Sequence, residues 1–325
     1  MTFKIGKRSF LTEKKLGQGA FGTVYKVRER LGSGGSGIYA LKEIYVTRDG
    51  DFQSVLREID TLKQCASHEN IISIFDVGFV AGHSQVLILM EYCEGGNLNS
   101  RLAQTGIYSN QKDRTRDLQW MSELADAVSF LHSKDIVHRD LKPENVLLTS
   151  SDSIKLGDFG LAREYTALKQ QARRGIASAD QTLVSYMTDY YMGYGVGTPF
   201  WFAPEVHKGR YNEKADVFSL GAIFFTIHTR ECKRINNGEK YFGAFVQVNG
   251  QTYGIGDAVS KKLRYELPLH EMPRSGRELI INMLSYDPSE RPSARKVYED
   301  LEEIRHSTIT LSRPSQNTGS SWCYC

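Results

Sequence analysis

Three side chains that could handle phosphate or metal, Asp140, Lys142 and Asn145, crowd into six residues near the middle of the chain. A second acid, Asp158, lies thirteen residues beyond Asn145. The two short apolar runs between them predict a β-hairpin that delivers both acids to one cleft. Phosphoryl transfer requires cations positioned over the phosphate oxygens, and such cations are held by Asp and Asn oxygens. The spacing suits a site for metal-assisted phosphoryl chemistry. An isolated run of this kind is more often ordinary loop structure or chance, so the interpretation depends on which other motifs the chain carries and in what order.

A glycine-rich segment near the N-terminus lies between two predicted strands. Gly17, Gly19 and Gly22 would let backbone amides approach an anionic oxygen without obstruction by a Cβ atom. Phe21 can cover the tip of this loop, and Val24 begins the return strand. No helix follows the segment, which disfavours a dinucleotide-binding fold and favours a loop that covers phosphates.

A lysine on a strand and an acid on the following helix form a second candidate pair. Residues 38–44 alternate as a strand that carries Lys42, and residues 51–64 form an apolar-faced helix that carries Glu58. A buried ammonium group needs a partner, and an acid on a movable helix makes the pairing switchable. The alternative, two ordinary surface residues, is commoner in general but is disfavoured by the flanking motifs.

The apolar strand at residues 86–90 stops abruptly at a segment that contains Gly95 and Gly96. This change predicts a hinge between two lobes, whose exposed backbone groups could pair with an adenine edge. Met90 would border the base pocket; a purely packing role for this methionine is compatible with that reading.

The second half of the chain reads as mainly helical. Residues 114–132 carry a helical apolar stripe, and residues 218–227 read as a buried helix. Asp216 precedes the buried helix and could hold backbone amides of the segment around Asp140. Farther on, Arg291 suits a buried partner such as Glu205.

Composition and charge restrict the class of protein. The 325 residues are 40% hydrophobic and 24% charged, and the net charge of +3 gives no reason to expect a nucleic-acid or membrane-surface partner. The longest apolar stretch has about ten residues, whereas a membrane-spanning helix needs roughly twenty. Five cysteines, odd in number and mostly far apart, indicate reduced thiols rather than disulfides or zinc ligation. With no signal-peptide core at the N-terminus, we expect an intracellular protein.

These motifs follow one another in one order over residues 10–305, and together they resemble the eukaryotic protein kinase family. The resemblance implies an α+β, two-lobed protein kinase fold. A small β-rich N-lobe with one main helix would cover residues 10–92, and a larger, mainly α-helical C-lobe residues 93–305. ATP and Mg²⁺ would bind between the lobes. Residues 1–9 would form an N-terminal extension and residues 306–325 a disordered tail.

The resemblance also implies a role for each motif residue. Asp140 would orient the substrate hydroxyl and accept its proton, and Lys142 would neutralise the γ-phosphate. Lys42, paired with Glu58, would hold the α- and β-phosphates. The implied magnesium ligands are Asn145 and Asp158. The implied nucleotide-binding residues are Leu16, Gly17, Gly19, Gly22, Val24, Ala40, Lys42, Met90, Glu91 and Cys93.

Finer features resemble particular branches of the family. Lys142 in the catalytic loop and Thr198 in a Gly-Thr-Pro element are similar to serine/threonine kinases, which implies protein substrates. Residues 211–268 resemble the small Clik-type subfamily, named for interaction with a LIM-domain protein. That resemblance implies a LIM-domain partner and a location in the nucleus or the cytoplasm.

One position departs from the family pattern. Arg139 usually pairs with a phosphorylated threonine in the segment before Ala-Pro-Glu, but Tyr194 stands at that place. We therefore expect activation to use Thr188, Ser185 or Thr182, or to need no phosphate.

Two rival functions remain. A pseudokinase that acts as a nucleotide-binding scaffold would typically lack one of three residues that this chain keeps: Lys42, Asp140 and Asp158. A small-molecule kinase is disfavoured because the Gly-Thr-Pro and Ala-Pro-Glu elements build a groove for a peptide.

Overall fold

The computed structural model describes residues 1–19, 22–30, 37–46, 49–80, 84–104, 111–164, 201–206, 211–234 and 240–312. Several residues singled out by the sequence lie outside these ranges: Phe21, Thr182, Ser185, Thr188, Tyr194 and Thr198.

The N-terminal region is a six-stranded antiparallel sheet with the order β1-β2-β3-β4-β6-β5. Its strands are β1 Thr2–Ile5, β2 Arg8–Gly19, β3 Gly22–Glu29, β4 Ile38–Tyr45, β5 Ile74–Val80 and β6 Gln85–Met90. Helix α1, Asp49–Cys65, buries Val55, Ile59 and Leu62 in a core shared with Ile44 and Ile88 of the sheet. The predicted strand and helix that carry Lys42 and Glu58 are therefore confirmed.

The first strand differs from the expectation that residues 1–9 lie outside the domain. Strand β1 pairs with β2, with Phe3 opposite Phe10, and the side chains of Phe3 and Ile5 are buried. Only two apolar positions alternate in this short strand, which is too few for the sequence pattern to reveal it.

The C-terminal region is mainly helical. Its helices are α2 Leu98–Gln104, α3 Gln111–Ser133, α4 Glu213–Thr229, α5 Ile255–Ser260, α6 Arg274–Met283 and α7 Ala294–Ser312. Helix α4 is the predicted apolar helix. It carries apolar side chains on all of its faces and is buried from Ala215 to His228. It begins at the N-cap Asn212, whose side chain accepts a hydrogen bond from the Lys214 backbone amide.

Four two-stranded sheets lie among the described residues of the C-terminal region. They are formed by β7 Ile136–Val137 with β10 Arg163–Glu164, β8 Val146–Leu148 with β9 Ile154–Leu156, β11 Cys232–Arg234 with β12 Lys240–Phe242, and β13 Phe245–Val248 with β14 Gln251–Gly254. The β8–β9 hairpin is the one that the sequence predicted between the two acids.

The α+β, two-lobed fold class is thus confirmed. The C-terminal boundary, like the N-terminal one, differs from expectation. The sequence predicted a disordered tail from residue 306, but α7 continues to Ser312. The hydroxyls of Ser307 and Thr308 donate to the carbonyls of Glu303 and Ile304 within the helix, which satisfies these polar side chains locally. Within the described ranges, no helix combines the length and apolar character needed to cross a membrane.

Candidate active site

The loop that precedes β8 brings three predicted residues together. The Asp140 carboxylate accepts hydrogen bonds from Lys142 Nζ at 2.8 Å and Asn145 Nδ2 at 2.9 Å. Asn145 Nδ2 also donates to the Asp140 carbonyl at 2.8 Å. All three side chains are buried. The loop therefore fixes the orientation of the Asp140 carboxylate through its own neighbours.

Lys42 connects the two lobes at this site. Its ammonium lies 2.5 Å from Glu58 Oε1, on α1, and 3.1 Å from Asp158 Oδ1, just after β9. Lys42 and Glu58 are 7% and 4% exposed, whereas the Asp158 side chain is 36% exposed. The predicted Lys42–Glu58 pair is present, and Asp158 joins it at the open side.

The charges in this cluster shift the pKa values of all three groups. Burial opposes the charged form of Lys42, but the carboxylates of Asp158 and Glu58 outweigh burial and raise its pKa. Burial, together with the nearby Asp158 carboxylate, raises the pKa of Glu58. Burial also opposes the ionised Asp158, yet Lys42 and Lys142 lower its pKa. Asp158 is thus the carboxylate that stays ionised at the mouth of the site.

A buried acid, Asp216, supports the backbone of the loop at residues 138–145, the candidate catalytic loop. Asp216 accepts hydrogen bonds from the backbone amides of His138 at 2.8 Å and Arg139 at 3.0 Å, as the sequence predicted. Tyr211 donates its hydroxyl to the same carboxylate at 2.7 Å, and His132 Nε2 lies 2.9 Å from it. Sequence reasoning missed the roles of Tyr211 and His132, because no pattern in the sequence links either residue to Asp216.

The backbone is in the left-handed region at two functional positions. Arg139 has a φ of 72° and Asp158 a φ of 56°, although neither is glycine. Such conformations cost free energy and persist where surrounding contacts impose them. The hydrogen bond from the Arg139 backbone amide to Asp216 holds Arg139 in this conformation, and the ion pair with Lys42 holds Asp158.

The described glycines of the glycine-rich segment lie at the facing ends of β2 and β3. Gly19 pairs with Gly22, and Gly17 pairs with Val24. A Cβ atom on Gly22, whose φ is +130°, would lie 2.2 Å from the Glu43 carbonyl oxygen, so only glycine fits there. At Gly17, by contrast, no atom of the described residues lies within 4 Å of the place that a Cβ would take.

The remaining predicted nucleotide-binding residues lie along the same strands and the hinge. Ala40 pairs with Met90 across β4 and β6, and Leu16 is 41% exposed on β2. Glu91 accepts from Lys155 Nζ at 3.0 Å, and its own backbone amide donates to the Ser73 carbonyl at 2.9 Å.

The cysteine of the hinge, Cys93, is nearly buried. Burial is the main factor that raises the pKa of its thiol to about 12. The thiol is therefore protonated at neutral pH.

The donor set of the site fits a magnesium–nucleotide complex. Because both amide hydrogens of Asn145 are donated to Asp140, its amide oxygen remains available to a metal. Asp158 uses one carboxylate oxygen for Lys42, and its side chain is partly exposed. Two hard oxygen ligands suit Mg²⁺, which keeps several waters and completes its coordination with phosphate oxygens of the substrate. Asn145 and Asp158 would hold the metal.

The predicted pair of Arg291 and Glu205 is also present, away from the cluster around Lys42. Arg291 makes two parallel contacts with the Glu205 carboxylate, at 2.6 and 2.9 Å, and its side chain is fully buried. It also donates to the carbonyls of Ser285 and Lys214, both at 2.9 Å. This pair anchors the segment that contains Glu205 to the helical lobe.

Comparisons with known proteins agree with this geometry. Residues 10–301 match the family model of the protein kinase domain. The chain is 33% identical over 312 residues to Calcium-dependent protein kinase 7 of Oryza sativa subsp. japonica, which covers 93% of this chain and 48% of that protein. It is 33% identical over 216 residues to CBL-interacting protein kinase 11 of the same organism, covering 66% of this chain and 38% of that protein.

A third relative, eIF-2-alpha kinase GCN2 of Mus musculus, is 30% identical over 254 residues, covering 73% of this chain and 14% of that protein. The chain spans less than half the length of each of these relatives. Since the family model matches residues 10–301, most of the chain, the chain belongs to the protein kinase family.

Proposed function

We propose that this chain is a Mg²⁺-dependent serine/threonine protein kinase that transfers the γ-phosphate of ATP to hydroxyl groups of proteins. The observation that carries the proposal is the Lys42 ammonium, which lies within 3.1 Å of acids from both lobes. The Lys42 ammonium is buried behind the partly exposed Asp158. Lys142, which donates to Asp140, is close enough to lower the pKa of Asp158, and this supports a single site that includes both acids.

The catalytic residues act by positioning and by charge. Asp140, held by Lys142 and Asn145, would orient the attacking hydroxyl and accept its proton. Lys142 would then face the negative charge that develops on the transferred group. When bound, ATP supplies the phosphoryl group and Mg²⁺ the positive charge over its oxygens.

The nucleotide would lie between the sheet and the hinge. Gly17, Gly19 and Gly22 would offer backbone amides to the phosphates, and Lys42, kept in place by Glu58, would bind the α- and β-phosphates. Side chains of Leu16, Val24, Ala40 and Met90 would enclose the base, and backbone groups of Glu91 and Cys93 would pair with its edge.

The choice of serine and threonine, and the identity of partners, rest on sequence likeness. Lys142 in the catalytic loop and the Gly-Thr-Pro element support hydroxyls of serine and threonine in protein substrates. The Clik-type likeness of residues 211–268 supports a LIM-domain protein as a partner and a location in the nucleus or the cytoplasm. A positional peptide library would define the preferred substrate sequence.

The test is transfer of radiolabelled phosphate from ATP to the chain itself and to a mixed peptide library, with Mg²⁺ present. We expect Asp158→Ala to reduce transfer at least about 1000-fold, because it removes a metal ligand and the Lys42 contact. Asp257→Ala, which removes an acid on α5 that pairs with Lys261, is the matched control and should retain activity. Acid hydrolysis of the product should yield phosphoserine and phosphothreonine.

Two results would refute the proposal. Transfer that survives Asp158→Ala would show that the assigned metal site is not used. A wild-type chain that binds ATP with Mg²⁺ but transfers nothing would instead be the pseudokinase scaffold.

A further inference from the structure

A groove of about 530 Å³ lies on the helical lobe between α6 and α7. None of its lining residues belongs to the active site described above. Its apolar lining includes Leu279 from α6 and Ile304 from α7, each 6% exposed, and two prolines, Pro273 and Pro292, which precede α6 and α7 in the chain. A concavity of this size falls within the usual range for binding sites, and its apolar floor could seat one or two aliphatic side chains.

The rim of this α6–α7 groove is strongly acidic. Four carboxylates and one ammonium line it, which gives a formal charge of −3; they belong to Glu278, Glu290, Asp300, Glu303 and Lys296. The whole chain carries +3, so the groove opposes the charge of the protein that bears it. A ligand that matches this surface must therefore be cationic.

The acids of the rim are only partly compensated within the protein. Lys296 lies 2.5 Å from Asp300, and Arg274 lies 2.7 Å from Glu278 with its own side chain 85% exposed. Exposed ion pairs of this kind are weak, so an incoming cation can compete for these carboxylates. Glu290 and Glu303 are exposed, and no ion pair or side-chain hydrogen bond joins the carboxylate of either to another described residue, although Lys296 lies close enough to Glu303 for the two charges to interact.

The length of the groove fits a short peptide. Its lining extends along α7 from Pro292 to Thr308, which corresponds to about 24 Å at 1.5 Å per residue. An extended segment of roughly seven residues covers that distance. Such a segment can place alternate side chains on the apolar floor and turn the intervening ones toward the acidic rim.

We propose that the α6–α7 groove is a docking surface for a basic, amphipathic peptide segment of a partner protein. Aliphatic side chains of the segment would pack on Leu279 and Ile304. Its lysines or arginines would pair with Glu290 and Glu303, the exposed rim acids that form no ion pair with another described residue. The surface is separate from the cleft, so docking requires neither ATP nor phosphoryl transfer and can be tested independently of them.

The test uses a fluorescein-labelled peptide that alternates leucine with lysine, and the same peptide with glutamate in place of lysine. Binding to the full chain is measured by fluorescence anisotropy. We expect Glu303→Lys to weaken binding of the basic peptide about tenfold, because it replaces an attraction with a repulsion. Glu299→Lys is the matched control: it makes the same charge change on the same helix, outside the groove lining, and should leave affinity within about twofold.

A second variant tests shape without changing charge. Asn282 lines the groove, and Asn282→Trp should fill it and weaken the basic peptide at least about tenfold, with the helical circular dichroism signal unchanged. Equal loss of affinity in Glu299→Lys would show unspecific attraction to an acidic surface and overturn the proposal. Equal binding of the glutamate peptide, or unchanged binding to both Glu303→Lys and Asn282→Trp, would overturn it as well.

Discussion

Two buried ionic sites in this molecule use similar groups in opposite ways. At the first, the Lys42 ammonium is shared by two carboxylates, Glu58 and Asp158, and the second of these is 36% exposed. At the other, Arg291 meets one carboxylate, Glu205, through two parallel contacts. The remaining donors of Arg291 go to backbone carbonyls, so this site has no spare capacity.

The number of carboxylates around each cation determines which ion pair is available for chemistry. One cation between two acids leaves negative charge unmatched in the cleft, and a divalent metal can neutralise it. A planar guanidinium on a single carboxylate is balanced and geometrically saturated, so it holds structure. The Lys42 site is therefore suited to a ligand, and the Arg291 site to stability.

The largest expected effect is on the rate of phosphoryl transfer when the cation of the first site, Lys42, is removed. Lys42→Met leaves two acids facing each other without their cation, and it removes the group assigned to the phosphates. We expect the rate of phosphoryl transfer to fall about 1000-fold, measured as initial rate at saturating ATP. Lys261→Met, which removes an exposed lysine paired with Asp257, should change the rate little. A rate within tenfold of the wild type for Lys42→Met would contradict the comparison.

Breaking the second site should reduce stability. Arg291→Met leaves the Glu205 carboxylate without its cation at a largely buried position, so we expect the free energy of unfolding to fall by about 3 kcal/mol in urea titrations. Arg295→Met, which removes an 81% exposed arginine from α7, is the control and should have little effect. If both variants were equally stable, Arg291 would not be the anchor described here.

A buried histidine of α4, His228, provides a contrast with both ion pairs, because burial favours its neutral form. Burial is the main factor that lowers the pKa of His228 to about 4; Arg114, His270 and Arg230 act in the same direction, and Glu271 opposes them. Unfolding restores the ordinary pKa of His228, about 6.5. As the pH falls from 6.5 toward 4, the unfolded chain therefore binds a proton at His228 that the folded chain does not, and the free energy of unfolding decreases. Over that interval we expect the wild type to lose about 1 kcal/mol per pH unit more than His228→Gln. Parallel urea titrations at several pH values measure this, and equal slopes would refute it.

The smallest effect concerns the support of the catalytic loop. Tyr211→Phe removes one hydrogen-bond donor to Asp216, while the hydrogen bonds from the backbone amides of His138 and Arg139 remain. We expect a loss of about 1 kcal/mol in stability and a few-fold fall in transfer rate. Tyr253→Phe, whose exposed hydroxyl contacts Gln251, is the control. An unchanged rate and stability in Tyr211→Phe would show that this hydroxyl contributes nothing.

Part of the fold was predictable because strong periodicity reports on burial. The apolar run at 218–227 predicted helix α4, and the alternation at 38–44 predicted strand β4. Strand β1 was not predicted, since its two buried side chains make no readable pattern. The sequence predicted the end of α7 too early. Hydrogen bonds from the hydroxyls of Ser307 and Thr308 to helix carbonyls let polar residues continue the helix, and composition does not show such bonds.

The candidate site was predictable where motifs fix its chemistry. Pairs such as Lys42 with Glu58 and Arg291 with Glu205 followed from the rule that a buried charge needs a partner. The contact between Lys42 and Asp158 and the hydroxyl bond from Tyr211 to Asp216 did not follow. No local pattern encodes which of several acids lies nearest to a given side chain.

The sequence alone determined the set of reactive groups and their order along the chain: glycines, a strand lysine, a helix acid and the two acids that flank a hairpin. Only the tertiary structure decided that Lys42 is shared by two acids, that Asp158 is the exposed one, and that Asp216 collects donors from three segments. The reason is physical: residue types set charge and hydrogen-bonding capacity, whereas distance and burial depend on how segments far apart in the chain pack together.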